Sequence, residues 1–222
     1  AYWLATDTTD ITESTQTLDQ VALTPHNVGA FSSYTRQLLL QSSIAVEAFI
    51  RADLARVQAI ELDRAGLYGS GAAGQPTGVS NTSGINAPAN FAAAVPTWAE
   101  VVAMETAVAV DNALIGNLAY ICDSTIRGGL KTTEKFSGSG REVWEAGDQV
   151  NGYQAYATSQ ATAGDMFFGD WTALFLALWG GLDVLVNPYS ADISRQVRVS
   201  TMQSADYGVR HPESFAFNND GV

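Results

Sequence analysis

Three glycines in the stretch GLYGSGAAGQPTGVSNTSG (66–84) have the spacing of a phosphate-binding loop. Gly69, Gly71 and Gly74 form the pattern G-x-G-x-x-G, which in dinucleotide-binding folds lets backbone N–H groups approach a pyrophosphate. That chemistry requires a strand before the loop and a helix that opens on its last glycine. Here a helical pattern precedes the loop, and Pro76 disfavours helical geometry at the residue before it. A nucleotide-binding enzyme that uses this loop is therefore only a distant alternative.

A structural turn is the simpler interpretation of the same stretch. Helices commonly end at a glycine, and glycine also supplies the positive φ angles that tight turns need. The sequence continues with Gln-Pro-Thr-Gly, in which proline and glycine favour turns. We therefore predict a helix end followed by a structured turn at Gly69, Gly71, Gly74, Pro76 and Gly78, with no cofactor.

The single cysteine is the next residue that could do chemistry. Cys122 could act as a nucleophile with His26 or His211, but it lies in the apolar run LAYICD, where a thiol is usually buried and inert. One cysteine excludes an internal disulfide framework. One cysteine and two histidines also do not supply the ligands of a typical structural zinc site, so we expect no metal.

Asp170 could serve as a catalytic acid at the end of a strand. A Gly-Asp pair at such a position more often forms a turn in which the carboxylate bonds local amides, so we predict a strand turn at Gly169 and Asp170. The tryptophans are spread along the chain, which suits core packing or subunit contacts better than one ligand pocket. They are Trp3, Trp98, Trp144, Trp171 and Trp179. No catalytic constellation emerges, and we predict that the protein is not an enzyme.

Composition restricts the partners of the chain. Its 222 residues, 46% of them hydrophobic, suffice for one large domain or two small ones with a packed core. The formal net charge of −12 disfavours sequence-independent binding to nucleic acids, since an acidic surface repels phosphates. The sequence contains no unbroken apolar run of about 18 residues, so we predict no contact with a membrane.

A long helix is the strongest element that the sequence predicts. Residues 43–68 contain neither glycine nor proline until Gly66, and Ser43 is a plausible N-cap. Apolar residues recur at helical spacing and predict one buried stripe. The members of this stripe are Val46, Phe49, Ile50, Leu54, Val57 and Ile60. Before the helix, residues 17–40 read as extended structure. Alternation predicts one strand face there, made of Val28, Ala30, Ser32, Tyr34 and Arg36.

The remainder of the chain predicts an α+β pattern. Thr97 and Glu100 have the spacing of a capping box for a helix over 98–111. A buried strand follows at 118–123, and Ser124 is a plausible cap for a short helix that ends at Leu130. Most of the last third reads as strands, including two that pivot on Gly169-Asp170 and a further one, LDVLVN, that stops at Pro188.

The order of these motifs resembles the major capsid proteins of tailed bacteriophages. The segment LLLQSSIAVEAFIRADLARVQAIELDRAGLYGSGAAGQPTGV is similar to the long spine helix of that family and its glycine-rich Gln-Pro-x-Gly turn. MFFGDWTALFLALWGGLDVLVN is similar to a Gly-Asp strand turn of the family, and VRVSTMQSADYGVRHPESFAFNN to its closing strands. The resemblance covers nearly the whole chain.

The resemblance implies the two-part capsid fold. A peripheral domain over 1–84 would hold the spine helix, at about 43–68, together with antiparallel strands. An axial domain over 85–195 would carry a central sheet flanked by helices. Residues 196–222 would form closing strands that return to the peripheral domain.

The same resemblance implies a structural function. It predicts a subunit of an icosahedral phage head, assembled in the bacterial host cytoplasm, in which pentamers and hexamers of one chain enclose double-stranded DNA. Scaffold, protease, portal or decoration proteins would be partners, without sequence-specific binding to nucleic acid. A shell protein of a bacterial nanocompartment with the same fold is the alternative within the class.

Two features of the family are not found in the chain. An N-terminal arm and a long hairpin loop would precede residue 1, so we expect a longer protein, and we expect the 222-residue piece to be monomeric or weakly associated. Some members crosslink a lysine of that hairpin loop to a neighbour, whereas the only lysines here are Lys131 and Lys135, in the predicted axial domain. The resemblance therefore assigns no crosslinking residue.

Overall fold

The structure is a computed structural model that describes residues 20–41, 46–191 and 193–219. The predictions for Ser43 and Trp3 therefore lie outside the described residues. The helices are α1 (Arg36–Gln41), α2 (Val46–Tyr68), α3 (Trp98–Val110) and α4 (Ser124–Leu130). The strands are β1 (His26–Thr35), β2 (Leu118–Cys122), β3 (Trp144–Glu145), β4 (Gln149–Val150), β5 (Tyr153–Ala157), β6 (Met166–Asp170), β7 (Leu174–Asn187), β8 (Gln196–Val209) and β9 (Phe215–Asn218).

The strands form two separate sheets. One is antiparallel, has three strands and follows the order β1-β8-β7. The other has six strands in the order β3-β4-β5-β2-β6-β9, and within it only β2 and β5 run parallel to each other. The mixture of helices with mainly antiparallel sheets confirms the predicted α+β class.

The alternation in β1 follows the sequence pattern. Val28, Ala30 and Tyr34 face inwards, as predicted, because β1 lies between solvent on one side and α2 on the other. The prediction was wrong for Arg36, which begins α1. The side chain of Thr35 accepts a hydrogen bond from the Leu38 N–H at 3.3 Å. This bond, together with a run of good helix formers, starts a helix where an extended segment was expected.

Two helix starts show how local chemistry sets element boundaries. Glu100 accepts hydrogen bonds from both the backbone N–H and the hydroxyl of Thr97, at 2.6 and 2.7 Å, which confirms the predicted helix start. For α4 the prediction was one residue late. Asp123, rather than Ser124, is the N-cap, and its carboxylate accepts a 2.8 Å hydrogen bond from the Thr125 N–H. A carboxylate also interacts favourably with the positive end of the helix dipole.

The last third of the chain forms longer strands than predicted. The two segments expected on either side of residue 180 merge into β7, which is interrupted only by a bulge between Trp179 and Asp183. β7 and β8 are joined by the short connection 188–195 and pair on both sides of this bulge.

Strand pairing divides the chain differently from the predicted boundaries. β7 lies in the three-stranded sheet with β1 and β8, although residues up to 195 were expected in the axial domain. β9 was expected among strands that return to the peripheral domain, and it pairs with β6 in the six-stranded sheet. Both differences have one physical reason, which is that a strand joins the sheet in which its backbone groups find partners.

Candidate functional site

The glycine stretch forms a closed turn at the end of α2. The Gly69 N–H donates to the Ala65 carbonyl at 2.8 Å, and the Gly78 N–H donates to the Gly69 carbonyl at 2.8 Å. Between them, the Gly71 N–H donates to the Pro76 carbonyl at 3.1 Å. The turn thus satisfies its own backbone groups.

Asn81 fastens the turn to the helix. Its side-chain amide donates to the carbonyls of Tyr68 and Gly69, at 3.1 and 3.0 Å. These are carbonyls at the C-terminal end of α2, which have no partner within the helix. The direction in which the chain leaves α2 is therefore fixed by specific hydrogen bonds.

Glycine is required in this turn for two different physical reasons. A Cβ atom at Gly69 would lie 2.2 Å from the Pro76 carbonyl oxygen, and one at Gly78 would lie 2.4 Å from the Gly69 nitrogen, so both positions require close backbone approach. Gly71 and Gly74 have φ angles of +66° and +79°, which L side chains rarely adopt.

This geometry does not suit a phosphate. The N–H groups of Gly69, Gly71 and Gly78 already donate to carbonyls of the turn, whereas a phosphate loop directs such groups towards the ligand. A cavity of about 300 Å³ separates the turn from β1, and its described lining contains no lysine or arginine. Glu61 borders this cavity, and the hydrogen bond from Arg64 lowers the pKa of its carboxyl. The lining thus supplies no lysine or arginine that would bind a phosphate, and the Glu61 carboxylate is held by Arg64.

Asp170 connects two loops of the six-stranded sheet. Its Oδ1 accepts hydrogen bonds from the N–H groups of Asn117 and Thr172, at 2.9 and 3.0 Å. The turn itself is a short 3₁₀ segment at 171–173 that Asp170 caps. Gly169 is needed where β6 meets β9, since a Cβ there would lie 2.6 Å from the Ser214 carbonyl oxygen. Because the Asp170 carboxylate accepts hydrogen bonds from both loops, it holds them together.

Cys122 and the two histidines lie in different environments, and His211 is exposed in the connection between β8 and β9. Cys122 is fully buried in the six-stranded sheet, and burial raises the pKa of its thiol to about 12, so the reactive thiolate is not formed near neutral pH. His26 lies in the other sheet, 3.9 Å from the Asp206 carboxylate. The structure does not bring these two residues together as a catalytic pair.

The described tryptophans do not line one pocket. Trp144 is buried in the core of the six-stranded sheet, and Trp98 packs against that core with Lys135 above its ring at 4.2 Å. Trp171 donates its indole N–H to a backbone carbonyl. Trp179 stands apart on β7, where it is exposed.

The described residues contain neither a candidate metal-binding cluster nor a helix that could span a membrane. In the ranges that the structure describes, no three or more Cys, His, Asp or Glu side chains group in a way that could hold a metal ion. None of the described helices is both long and apolar enough to span a bilayer.

Exposed apolar side chains on α2 form the first of two surfaces that are suited to contacts with another protein. Phe49, Val57 and Ile60 belong to the stripe that was predicted to be buried, yet they are exposed, Phe49 to 67%. The buried face of α2 keeps Leu54 and the half-buried Ile50 of the predicted stripe and adds Ala65. The prediction of a single buried stripe was wrong for these three residues, because the sheet beneath α2 covers only one side of the helix.

The three-stranded sheet carries the second apolar surface. Phe31, Leu185 and Met202 are exposed on the face that points away from α2, although the ring of Phe31 is partly covered by the Arg198 guanidinium at 5.5 Å. The edge strand β7 adds exposed residues on both of its faces. These are Phe175, Leu176, Leu178 and Trp179. The sequence signal for this surface is the nearly continuous apolar run LFLALW, because a strand of that kind needs cover on two sides.

Comparison with known proteins gives one consistent relationship. The model of the phage capsid family matches residues 1–220. The major capsid protein of Halomonas phage phiHAP-1 is 31% identical over 221 residues, which are 100% of this chain and 36% of that protein. The chain thus spans about a third of the length of this relative.

Solved structures extend the relationship to the fold. The capsid of a native GTA particle matches 100% of this chain and 82% of its own chain, with a TM-score of 0.79 and 19% identity. A chain of Mycobacterium phage Ogopogo matches with a TM-score of 0.75 and 14% identity, covering 99% of this chain and 83% of that one. A virus-like particle from Pyrococcus furiosus has a TM-score of 0.65 and 11% identity, over 87% and 76% of the two chains. The fold is that of tailed-phage capsid proteins, and the chain belongs to the phage capsid family.

Proposed function

We propose that this chain is the shell-forming part of a major capsid protein, and that many copies of it build an icosahedral phage head. The observation that carries the proposal is the extent of exposed apolar surface on α2 and on the three-stranded sheet, in a chain of the phage capsid family. Exposed apolar patches of this kind mark sites of protein association. Neighbouring copies would cover it in pentamers and hexamers.

The proposed role is structural rather than catalytic. The glycine turn would act as a fixed joint between α2 and the six-stranded sheet, with Gly69, Gly78 and Pro76 shaping its path, and the Gly169-Asp170 turn would brace that sheet. The shell would enclose double-stranded DNA in the virion after assembly in the host cytoplasm. A scaffold, protease, portal or decoration protein would be partners of the whole protein.

Electron microscopy of the full-length protein tests this proposal. We expect closed particles of uniform size from the full-length protein, and a monomer or weak oligomer from the 222-residue chain in light scattering. Amorphous aggregates or a stable small oligomer from the full-length protein would contradict the proposal. Addition of NAD or ATP should leave the melting temperature unchanged, whereas a large increase would favour a nucleotide-binding enzyme.

A nanocompartment shell is the second candidate, since the virus-like particle from Pyrococcus furiosus has the same fold. The closer likeness to the GTA capsid and to the phage relative favours the head protein. The content of purified particles distinguishes the two: nuclease-protected DNA is expected in a phage head, and protein cargo in a nanocompartment. The acidic net charge leads us to expect that the free chain does not retard DNA at physiological salt.

A further inference from the structure

One edge of β7 has no partner among the described strands. β8 pairs with β7 on one side, and β7 is the last strand of its sheet on the other. Four large apolar residues between 174 and 179 are exposed here, two on each face of the strand: Phe175, Leu176, Leu178 and Trp179. An unpaired edge presents backbone N–H and C=O groups that pair readily with another strand.

Over residues 174–179, β7 lacks the usual features that prevent strand addition. Natural edge strands are blocked by lysine, proline, β-bulges or inward-pointing charges. Residues 174–187 contain no lysine, arginine or proline, and Asp183 is their only charged residue. The bulge at Gly180, with a φ of +76°, interrupts the strand but leaves six regular residues before it. The edge over 174–179 is therefore open to pairing.

We propose that this edge pairs, antiparallel, with the same edge of a second copy of the chain, with Ala177 of both copies beside a two-fold axis. The proposal rests on the proposed function, because a shell supplies the second copy. It joins two three-stranded sheets into one continuous sheet of six strands.

The register follows from the side chains themselves. When a strand pairs with itself about Ala177, Phe175 lies opposite Trp179 and Leu176 lies opposite Leu178. Pairing with β8 shows that Phe175, Ala177 and Trp179 share one face of β7, whereas Leu176 and Leu178 share the other. Aromatic residues thus meet on one face and leucines on the other, and a small residue occupies the axis. Such cross-strand pairs are the unit of sheet stabilisation.

Other registers place fewer of these apolar side chains opposite one another. An axis at Leu176 places Phe175 opposite Ala177 and moves Trp179 beyond the start of the facing strand. With the axis at Ala177, Asp183 lies six residues away from it, or about 20 Å along an extended strand. The two copies of Asp183 then lie far apart, so no like charges meet.

A single introduced cysteine tests the axis. Ala177→Cys in the full-length protein should form covalent dimers when assembled particles are oxidised with diamide, because directly opposed residues have Cα atoms about 4.5–5.5 Å apart, within disulfide range. The native Cys122 is fully buried and should not react. Met202→Cys is the matched control, since it is exposed on the central strand β8. Met202 pairs with Asp183 of β7, so its two copies would be about 14 Å apart across the strands and about 40 Å apart along them, and they should not crosslink.

A second variant tests the contact without crosslinking. Leu178→Lys adds a charge to the proposed pair with Leu176 and should lower particle yield at least tenfold, while circular dichroism of the subunit stays unchanged. Asp183→Lys places the same side chain at an exposed, already charged position of the same strand beyond the bulge, outside the exposed apolar surface, and should assemble normally. Equal losses from both variants would contradict the assignment to 174–179.

The outcomes separate this inference from the proposed function. If native full-length protein forms no particles, the proposed function fails. If particles form but Ala177→Cys gives no dimer while its thiol still reacts with a maleimide, only the edge pairing is overturned. Dimers at Ala177 without dimers at Met202 support the edge pairing.

Discussion

The two sheets of this protein differ in how completely a single chain buries their side chains. The six-stranded sheet and its helices enclose a large core in which Tyr120, Met166 and Phe168 have no solvent exposure. The three-stranded sheet and α2 enclose a small one, which consists of Tyr34, Leu54, Val197 and Val199 with a few partly buried neighbours. The six-stranded unit buries most of its apolar side chains within one chain. The three-stranded unit leaves much of its apolar surface exposed and available for contacts with other chains.

The interior of the second unit is also more polar. Gln58 of α2 is buried against the sheet, where its amide donates to the Val28 carbonyl at a long 3.4 Å while its Oε1 has no partner. Thr201 and Gln203 of β8 are buried at the same helix–sheet contact. Polar contacts of this kind contribute little net stability. Stability therefore resides mainly in the six-stranded unit and association in the three-stranded unit.

Truncation of an aromatic residue in each unit should give the largest difference. Phe168→Ala removes a fully buried ring from the six-stranded core and should lower the free energy of unfolding by about 3–5 kcal/mol. Phe31→Ala removes an exposed ring from the three-stranded sheet and should lower it by less than about 0.5 kcal/mol. Urea unfolding followed by circular dichroism measures both. Similar losses would break the distinction between the two units.

The joint between the units should be sensitive to backbone crowding. Gly69→Ala forces a Cβ against the Pro76 carbonyl oxygen and should cost about 2–3 kcal/mol. Gly74→Ala is the matched control, because it lies in open space and suffers only from its positive φ; it should cost about 1 kcal/mol. Thermal unfolding of both variants tests this order, and a more destabilising Gly74 variant would reverse the assignment.

Replacement of the polar contact under α2 should stabilise the protein. Gln58→Met keeps the length of the side chain and removes the buried oxygen that has no partner, so we expect a gain of about 1 kcal/mol. Gln75→Met, at a half-buried position in the glycine turn, serves as control and should change little. A loss of stability in Gln58→Met would show that the amide is important to the helix–sheet contact.

Alkaline pH should weaken the contact between α2 and β8. Burial raises the pKa of Tyr207 to about 12, and its hydroxyl donates to the Leu62 carbonyl at 3.0 Å. Because the pKa is higher in the folded state, the neutral hydroxyl contributes stability at any pH below its ordinary pKa near 10. That contribution is lost as the pH rises towards 12. After discounting for the partial exposure of the residue, the loss is about 1 kcal/mol. Unfolding at pH 8 and pH 11 should show a smaller pH effect in Tyr207→Phe than in the native chain.

Local signals gave the reliable part of the prediction. The end of α2 at the glycine stretch and the Thr97–Glu100 helix start were read from neighbouring residues, because capping and positive φ angles depend on a few adjacent groups. The errors were also local in part. Thr35 and Asp123 are helix caps, and the sequence reading missed the first and placed the second one residue late.

The features that the sequence did not predict depend on contacts between distant segments of the chain. Helical spacing identified Phe49 and Leu54 as members of one apolar stripe, but only the position of the sheet decides that Leu54 is buried and Phe49 exposed. The short strands β3 and β4 carry no periodic signal, because two residues are too few to show alternation.

The sequence by itself determined the α+β class, the long helix with its glycine stop, and a composition unsuited to metal or disulfide chemistry. These follow from residue types and from spacings within one or two turns of chain. The tertiary structure alone decided that β7 joins β8 and β1, that β9 joins β6, and which apolar residues remain exposed. Those features depend on which distant segment supplies hydrogen-bond partners and cover, and no local pattern encodes that choice.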